Sequence, residues 1–190
     1  PIAERSKARV RTSGRSSAGT PAGRAGARAA VNARVAGVFG TINETDRKGR
    51  TAANVTRVRG VFADTDGAPL DPIMRCGLEP HIVVESSLGN WHTYWLLDDP
   101  YPPEQVEALN RRLAFALAGD PGCTDISRIL RPPGTLNHKH SPARPVTLLA
   151  FRENARLSLS QLSALLPRDP DPPTWRPAPA VARVDRPKLA

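Results

Sequence analysis

The chain has 190 residues, 39% of them apolar, and a formal net charge of +9. That length suits one domain with appendages, and 39% apolar residues suffice for a sizeable core. No apolar run approaches membrane-spanning length, and the Arg-rich start lacks the apolar segment of a secretory signal.

The positive charge is unevenly placed. Residues 1 to 30 hold seven Arg or Lys against one acid, a net of +6, and residues 167 to 190 hold five against three, a net of +2. Residues 31 to 166 keep fifteen against fourteen, a net of +1. Affinity of this middle part for nucleic acid must therefore come from local arrangement, not bulk charge. The composition divides the chain into a basic tail (1–30), a folded domain (31–166) and a Pro-rich tail (167–190), with both tails expected to be disordered. Cys76 and Cys123 are the only two cysteines and form no C-x-x-C pair. A zinc knuckle is not expected, and a reduced, cytoplasmic setting is the simplest reading.

In chain order, Val35 to Thr45 reads as a first strand, Asn43 to Gly49 as a polar loop, and Arg50 to Thr56 as a short helical turn. The run Val58 to Gly67 (VRGVFADTDG) then leads an apolar strand into two aspartates. On a strand, the i, i+2 spacing of Asp64 and Asp66 puts both carboxylates on one face. Paired acids repel, and a hard divalent ion is the usual means of keeping both ionised. The competing reading is a solvated corner, since Asp-Gly is common turn punctuation.

Pro80 to Ser86 and Trp91 to Leu97 are β-rich runs joined by Ser87 to Asn90, a hairpin signature. In the second run His92, Tyr94 and Leu96 share one face, and Trp91, Thr93, Trp95 and Leu97 the other. Trp91 and Trp95 are expected in the core, His81 as a structural strand residue, and Arg57 and Arg59 on a solvated strand face, with contact to template phosphates as their alternative. Pro102 and Pro103 open the clearest helix, with Val106, Leu109, Leu113 and Leu117 at helical spacing and Gly119 at its end. A last strand is expected near Val146 to Phe151, and Ser158 is placed to cap a short helix through Leu166.

The second chemical stretch runs from Cys123 to Lys139 (CTDISRILRPPGTLNHK). Asp125 enters an apolar segment, followed by Arg128, Arg131 and Lys139. A third carboxylate with cations and a glycine turn suits a site for metal and phosphate together.

Taken in order, "TINETDRKGRTAANVTRVRGVFADTDG", "PHIVVESSLGNWHTYWLLDD" and "DISRILRPPGTLNHK" resemble the RepB-type plasmid primase domain of the archaeo-eukaryotic primases, over roughly residues 31 to 152. The resemblance implies an α+β fold: an RRM-like antiparallel sheet with packed helices beside a smaller α/β unit. The short sequence before the first strand leaves part of that N-terminal unit missing or replaced by the Arg-rich tail. It implies metal ligation by Asp64, Asp66 and Asp125, with two Mg²⁺ or Mn²⁺ ions. It implies that His92 contacts the nucleotide's phosphates, with Arg128 and Lys139 lining the nucleotide site. The implied activity is nucleotidyl transfer, making or extending primers from nucleoside triphosphates on a single-stranded DNA template of a plasmid, phage or integrated element. No helicase motor with a phosphate-binding glycine loop follows, so a helicase or initiator would act from another chain.

Two other readings differ in class. A non-catalytic RRM-like module would bind single strands on sheet aromatics, of which this chain offers only Tyr94 on the His92 face. A rolling-circle endonuclease would use His138 and His140, but Lys139 stands between them and both tyrosines, Tyr94 and Tyr101, come earlier.

Overall fold

The computed structural model describes residues 30, 32–33, 36–74 and 77–166. The expected tails, apart from Ala30, lie outside the described residues, as do Val31, Val35 and Cys76. In chain order come β1 (Gly40–Thr41), β2 (Glu44–Thr45), a 3-10 turn (Ala52–Asn54), β3 (Val55–Arg57), β4 (Gly60–Asp66) and α1 (Leu70–Met74). There follow β5 (Ile82–Ser87), β6 (Asn90–Leu96), α2 (Pro103–Ala116), β7 (Ile129–Leu130), β8 (Leu136–Asn137), β9 (Arg144–Pro145), β10 (Thr147–Phe151) and α3 (Leu159–Leu165).

The organising element is a four-stranded antiparallel sheet in the order β10-β5-β6-β4. Strands β5 and β6 form the expected hairpin, closed by Leu88 and Gly89. Gly89 has φ 74°, a left-handed conformation that glycine takes without strain. Alternation gives the sheet two apolar faces. Val61, Ala63 and Trp95 pack with Val106, Leu109 and Leu113 of α2, Ile73 of α1 and Leu162 of α3. Phe62, Val84 and Tyr94 pack on the opposite face with Cys123, Leu130 and Val146. The sheet is thus sandwiched between helices and an irregular layer carrying the second chemical stretch.

Helix α2 forms where the periodicity places it. Pro103 sits at its first position, where a missing N–H costs nothing, and Leu117 caps its end. Ser158 caps α3 with a full capping box through Gln161. The expected strand over Val35 to Thr45 is not continuous: it reduces to β1 and β2, of two residues each. β1 pairs with β7 and β2 with β3. Between them Ile42 packs against the Phe62 cluster, while the Asn43 side chain donates to the Ile126 carbonyl and accepts from the Arg59 N–H, so the run divides between two partners. Among the described residues no helix is long and apolar enough to cross a membrane.

Strand β4 is an edge strand, yet its outer side is not open. Asn110 of α2, fully buried, accepts from the Phe62 N–H at 3.0 Å and donates to the Thr124 carbonyl at 2.9 Å. Two residues on, the Asp120 N–H donates to the Asp64 carbonyl at 2.7 Å. Gly119 permits that approach, because a Cβ there would lie 2.8 Å from the Asp64 carbonyl oxygen. One helix residue and one loop therefore fix the strand that carries Asp64. Replacing Asn110 by Ala removes the partner of the buried Phe62 N–H, at about 1–3 kcal/mol, and that of the part-buried Thr124 carbonyl. Asn110→Ala should lower unfolding stability by about 2–4 kcal/mol in a denaturant titration; a loss comparable to that of an exposed helix position would show that the amide does not hold the strand.

Candidate active site

Register sets the first part of the site. β4 and β6 pair Asp64 with His92 and Asp66 with Asn90, so these side chains share the face turned away from α2. Asp64 is largely buried, with 18% of its side chain exposed, and His92 keeps 5%. Asp66, at the strand end, is exposed. The two carboxylates thus form a step from a buried position to an open one, as their i, i+2 spacing requires.

Asp64 is electrostatically unfavourable. Burial, then the Asp66 charge beside it, pushes its carboxyl up to about 6, and Asp120 adds to the push. The Cys123 thiol and the Lys139 ammonium work in the opposite direction and do not offset it. Oδ1 of Asp64 is buried with no hydrogen-bond partner. The His92 Nε2 lies 3.6 Å from that oxygen, too far for a hydrogen bond. Nor are the two an ion pair. Burial, then the Arg131 guanidinium, pulls His92 down to about 4, so His92 is neutral wherever Asp64 is ionised. The Cys123 thiol, pushed up to about 12 chiefly by burial, stays protonated beside Asp64.

The third stretch comes in from the loop after α2. Asp125 does not face Asp64 as a free carboxylate. Its Oδ2 pairs with Arg128 Nη2 at 2.7 Å, and its Oδ1 accepts from Ser127 Oγ at 2.7 Å. Arg128 also donates to the Gly122 carbonyl, while its Nε is buried and unpartnered. Lys139 is exposed and close enough to act on Asp64. Its position is set by Asn137, whose Oδ1 accepts from the Lys139 N–H at 3.0 Å and whose Nδ2 donates to the Ser86 carbonyl at 2.8 Å. Asp64, Asp66, His92 and Lys139 are therefore brought together, whereas Asp125 and Arg128 form a neighbouring couple.

Two residues of this site have no role assigned from the sequence: Asp120 is not singled out there, and Arg131 is named only among the cations that follow Asp125. Asp120 is held against β4 by its backbone and raises the Asp64 carboxyl; nothing but its distance from Asp125 marks it in the sequence. Arg131 has a buried, unpartnered Nε, lies 4.6 Å over the Phe39 ring, and acts on both Asp64 and His92. Its place in the second stretch was the available signal.

Among the described residues, no group of three or more His, Cys, Asp or Glu side chains converges to hold a metal. Asp64, Asp66 and Asp125 form no such cage, and the Asp125 oxygens are engaged by Arg128 and Ser127. The donor set nevertheless fits a magnesium-like ion. Such ions are commonly held by one or two carboxylates, with substrate phosphates and water completing the shell. Asp64 and Asp66 supply two carboxylates, and the orphaned Oδ1 supplies an unsatisfied acceptor.

Other singled-out residues fall on the structural side. His81 is buried and its Nδ1 accepts from the Leu96 N–H at 2.9 Å. Trp95 is in the helix-facing core with its indole donating to the Leu78 carbonyl, and Trp91 packs against the same core. The ring of His138 contacts the Asn32 carbonyl at 2.6 Å, which ties the start of the fold to β8 and leaves no open two-histidine site.

The Asp64 charge has a stability signature. Its folded value lies above the ordinary carboxylate value, so folding favours the protonated form. Stability then declines as pH rises from about 4 to about 6, by about 3 kcal/mol at 1.36 kcal/mol per pH unit. Without divalent ions, Asp64→Asn should melt higher than the parent at pH 7.5, and the gap should close as pH falls through 6 towards 4. A variant that melts lower at pH 7.5 would mean that the Asp64 charge is already compensated.

Three comparisons bear on what this arrangement belongs to. No curated protein matches the chain. Among solved structures, the archaeo-eukaryotic primase domain of the cyanophage S-2L primase-polymerase superposes with a TM-score of 0.54 at 21% identity, covering 63% of this chain and 65% of that one. The catalytic domain of primase RepB′, in complex with initiator DNA, gives 0.48 at 25% identity over 56% and 57%. A second RepB′ structure gives 0.48 at 28% over 57% and 38%. The chain thus spans less than two thirds of each neighbour, and the cyanophage likeness is one of fold, an antiparallel α+β domain as expected. The family model described as the RepB DNA-primase N-terminal domain matches residues 7–156, so the chain belongs to the RepB DNA-primase N-terminal domain family.

Proposed function

We propose that the chain carries out metal-dependent nucleotidyl transfer, making or extending primers on single-stranded DNA from nucleoside triphosphates. The observation that carries this reading is the Asp64 carboxylate: buried, unpaired at Oδ1, and stepped next to Asp66 at the open end of β4. A fold that tolerates such a group gains from a cation that neutralises it. A purely binding module would keep two acids on its nucleic-acid face with nothing in return.

Asp64 and Asp66 would hold Mg²⁺ or Mn²⁺. Bound there, two ions supply Lewis acidity to an attacking 3′-hydroxyl and to the oxygens of the leaving pyrophosphate. Lys139 and Arg128 meet the triphosphate charge, and neutral His92 donates a single N–H to it rather than a positive charge. Asp125, the third acid of the family pattern, would be free to help hold the ions only once a triphosphate had drawn Arg128 off its carboxylate. A helicase or initiator would bring the template.

The test is primer synthesis on single-stranded DNA with labelled nucleotides and either ion. Asp64→Asn and Asp66→Asn should each slow synthesis on the order of a hundredfold, the scale of losing one transition-state charge contact. Asp125→Asn should leave ion affinity unchanged without nucleotide and weaken it with a non-hydrolysable triphosphate. Full synthesis by the Asp64 variant would overturn the reading, and an Asp125 effect without nucleotide would overturn the exchange of Arg128.

A further inference from the structure

The sheet face that carries Asp64 continues into a groove of about 720 Å³. Register arranges this face in cross-strand rows. One row runs Asp64, His92, Val84, Leu148, and the next runs Phe62, Tyr94, Ile82, Phe151. Rows two residues apart on a strand are spaced by roughly 7 Å, about the rise between successive nucleotides of an extended strand. The groove is floored by Ile82, Val84, Tyr94 and Leu96, and Leu148 and Phe151 of β10 line its margin.

Two features are unusual for a groove of this kind. Phe151 is an aromatic with 56% exposure on the opposite edge strand, in the row next to that of Asp64 but three strands across the sheet from it. Arg57, Arg59, Arg131 and Arg156 all line the same groove, against Asp98 and Asp99. Asp98 already accepts from the Tyr101 hydroxyl, and Arg59 is paired with Glu44. The near-neutral middle of the chain, +1 over residues 31 to 166, therefore hides a local concentration of guanidinium groups. Arg131 links it to the site, since it acts on Asp64 and His92 and also lines the groove.

We infer that this groove seats single-stranded DNA, with a base stacked on Phe151 and the backbone phosphates met by Arg57 and Arg156, so that the strand's end is delivered to the Asp64 row. An exposed aromatic on a sheet beside arginines is the physical basis of sequence-tolerant single-strand binding. The inference rests on the reading of Asp64 and Asp66 as the polymerising centre for its direction, but its binding claim stands separately.

The test uses the full chain and a fluorescently labelled oligo-deoxythymidine, followed by anisotropy at several salt concentrations. Phe151→Ala should raise the dissociation constant roughly fivefold or more, the scale of losing one stacked base. Arg57→Ala with Arg156→Ala should weaken binding and lower the salt slope by about 1.4, at about 0.7 per lost phosphate contact. Mn²⁺ and triphosphate binding should be unchanged in both, and Phe115→Ala, an exposed phenylalanine on α2, should leave DNA binding unchanged. Unaltered DNA affinity in the Phe151 and arginine variants would overturn the groove assignment. An equal loss for Phe115→Ala would overturn it too, by showing general adhesion. A parent chain that binds DNA through these residues but neither Mn²⁺ nor triphosphate would uphold the groove and sink the polymerising reading instead.

Discussion

One carboxylate is held where its charge is costly, and much of the domain serves to hold it there. Asp64 lies on the edge strand β4, two residues from its end, one oxygen unpaired, with acids at Asp66 and Asp120 raising its carboxyl further. Its strand cannot shift to relieve this. Gly60 through Asp66 pair residue for residue with Leu96 through Asn90 on the inner side, while Asn110 and the Asp120 N–H hold the outer side. A one-residue slip would turn Phe62 and Asp64 into the helix-facing core and expose Val61 and Ala63. The hydrophobic pattern and the site geometry are thus one constraint.

The same register organises what lies beside the carboxylates. His92 reaches Asp64 because β6 is the central neighbour of β4, and the rows continue through β5 to the exposed edge at β10. Opposite faces of one sheet therefore have different tasks. The helix-facing side is filled by Trp95, Val61 and Leu113, which fixes the strands. The other side, only partly covered by Leu130 and Val146, leaves room for chemistry.

Much of this was legible in the sequence because it depends on local periodicity. The alternation in Trp91 to Leu97 gave the correct faces, the spacing from Val106 to Leu117 gave α2, and the two aspartates gave a shared face. What was not legible depends on contacts distant in sequence. β1 pairs with β7, some ninety residues away, through two residues each, so neither has a pattern of its own. Helix α1 is five residues long and contains Pro72, too short for a period to show. Asp120 and Arg131 acquire their roles only when the loop after α2 folds back against β4, and Asp125 has an obvious partner in Arg128 three residues on, which the spacing alone allowed but did not require. Side-chain commitments of this kind are decided by competition between neighbours, and a linear pattern does not record the outcome.

The account turns on whether Asp64 is a carboxylate waiting for a cation. Carboxyl ¹³C NMR of the protein labelled at aspartate measures this directly, with the Asp64 signal assigned through Asp64→Asn. Without divalent ions it should titrate near pH 6, as the structure places it, and addition of Mg²⁺ should move that titration below the ordinary carboxylate range, because a bound cation favours the ionised form. An Asp64 signal that titrates in the ordinary range without ions, or one that does not respond to Mg²⁺, would contradict the account.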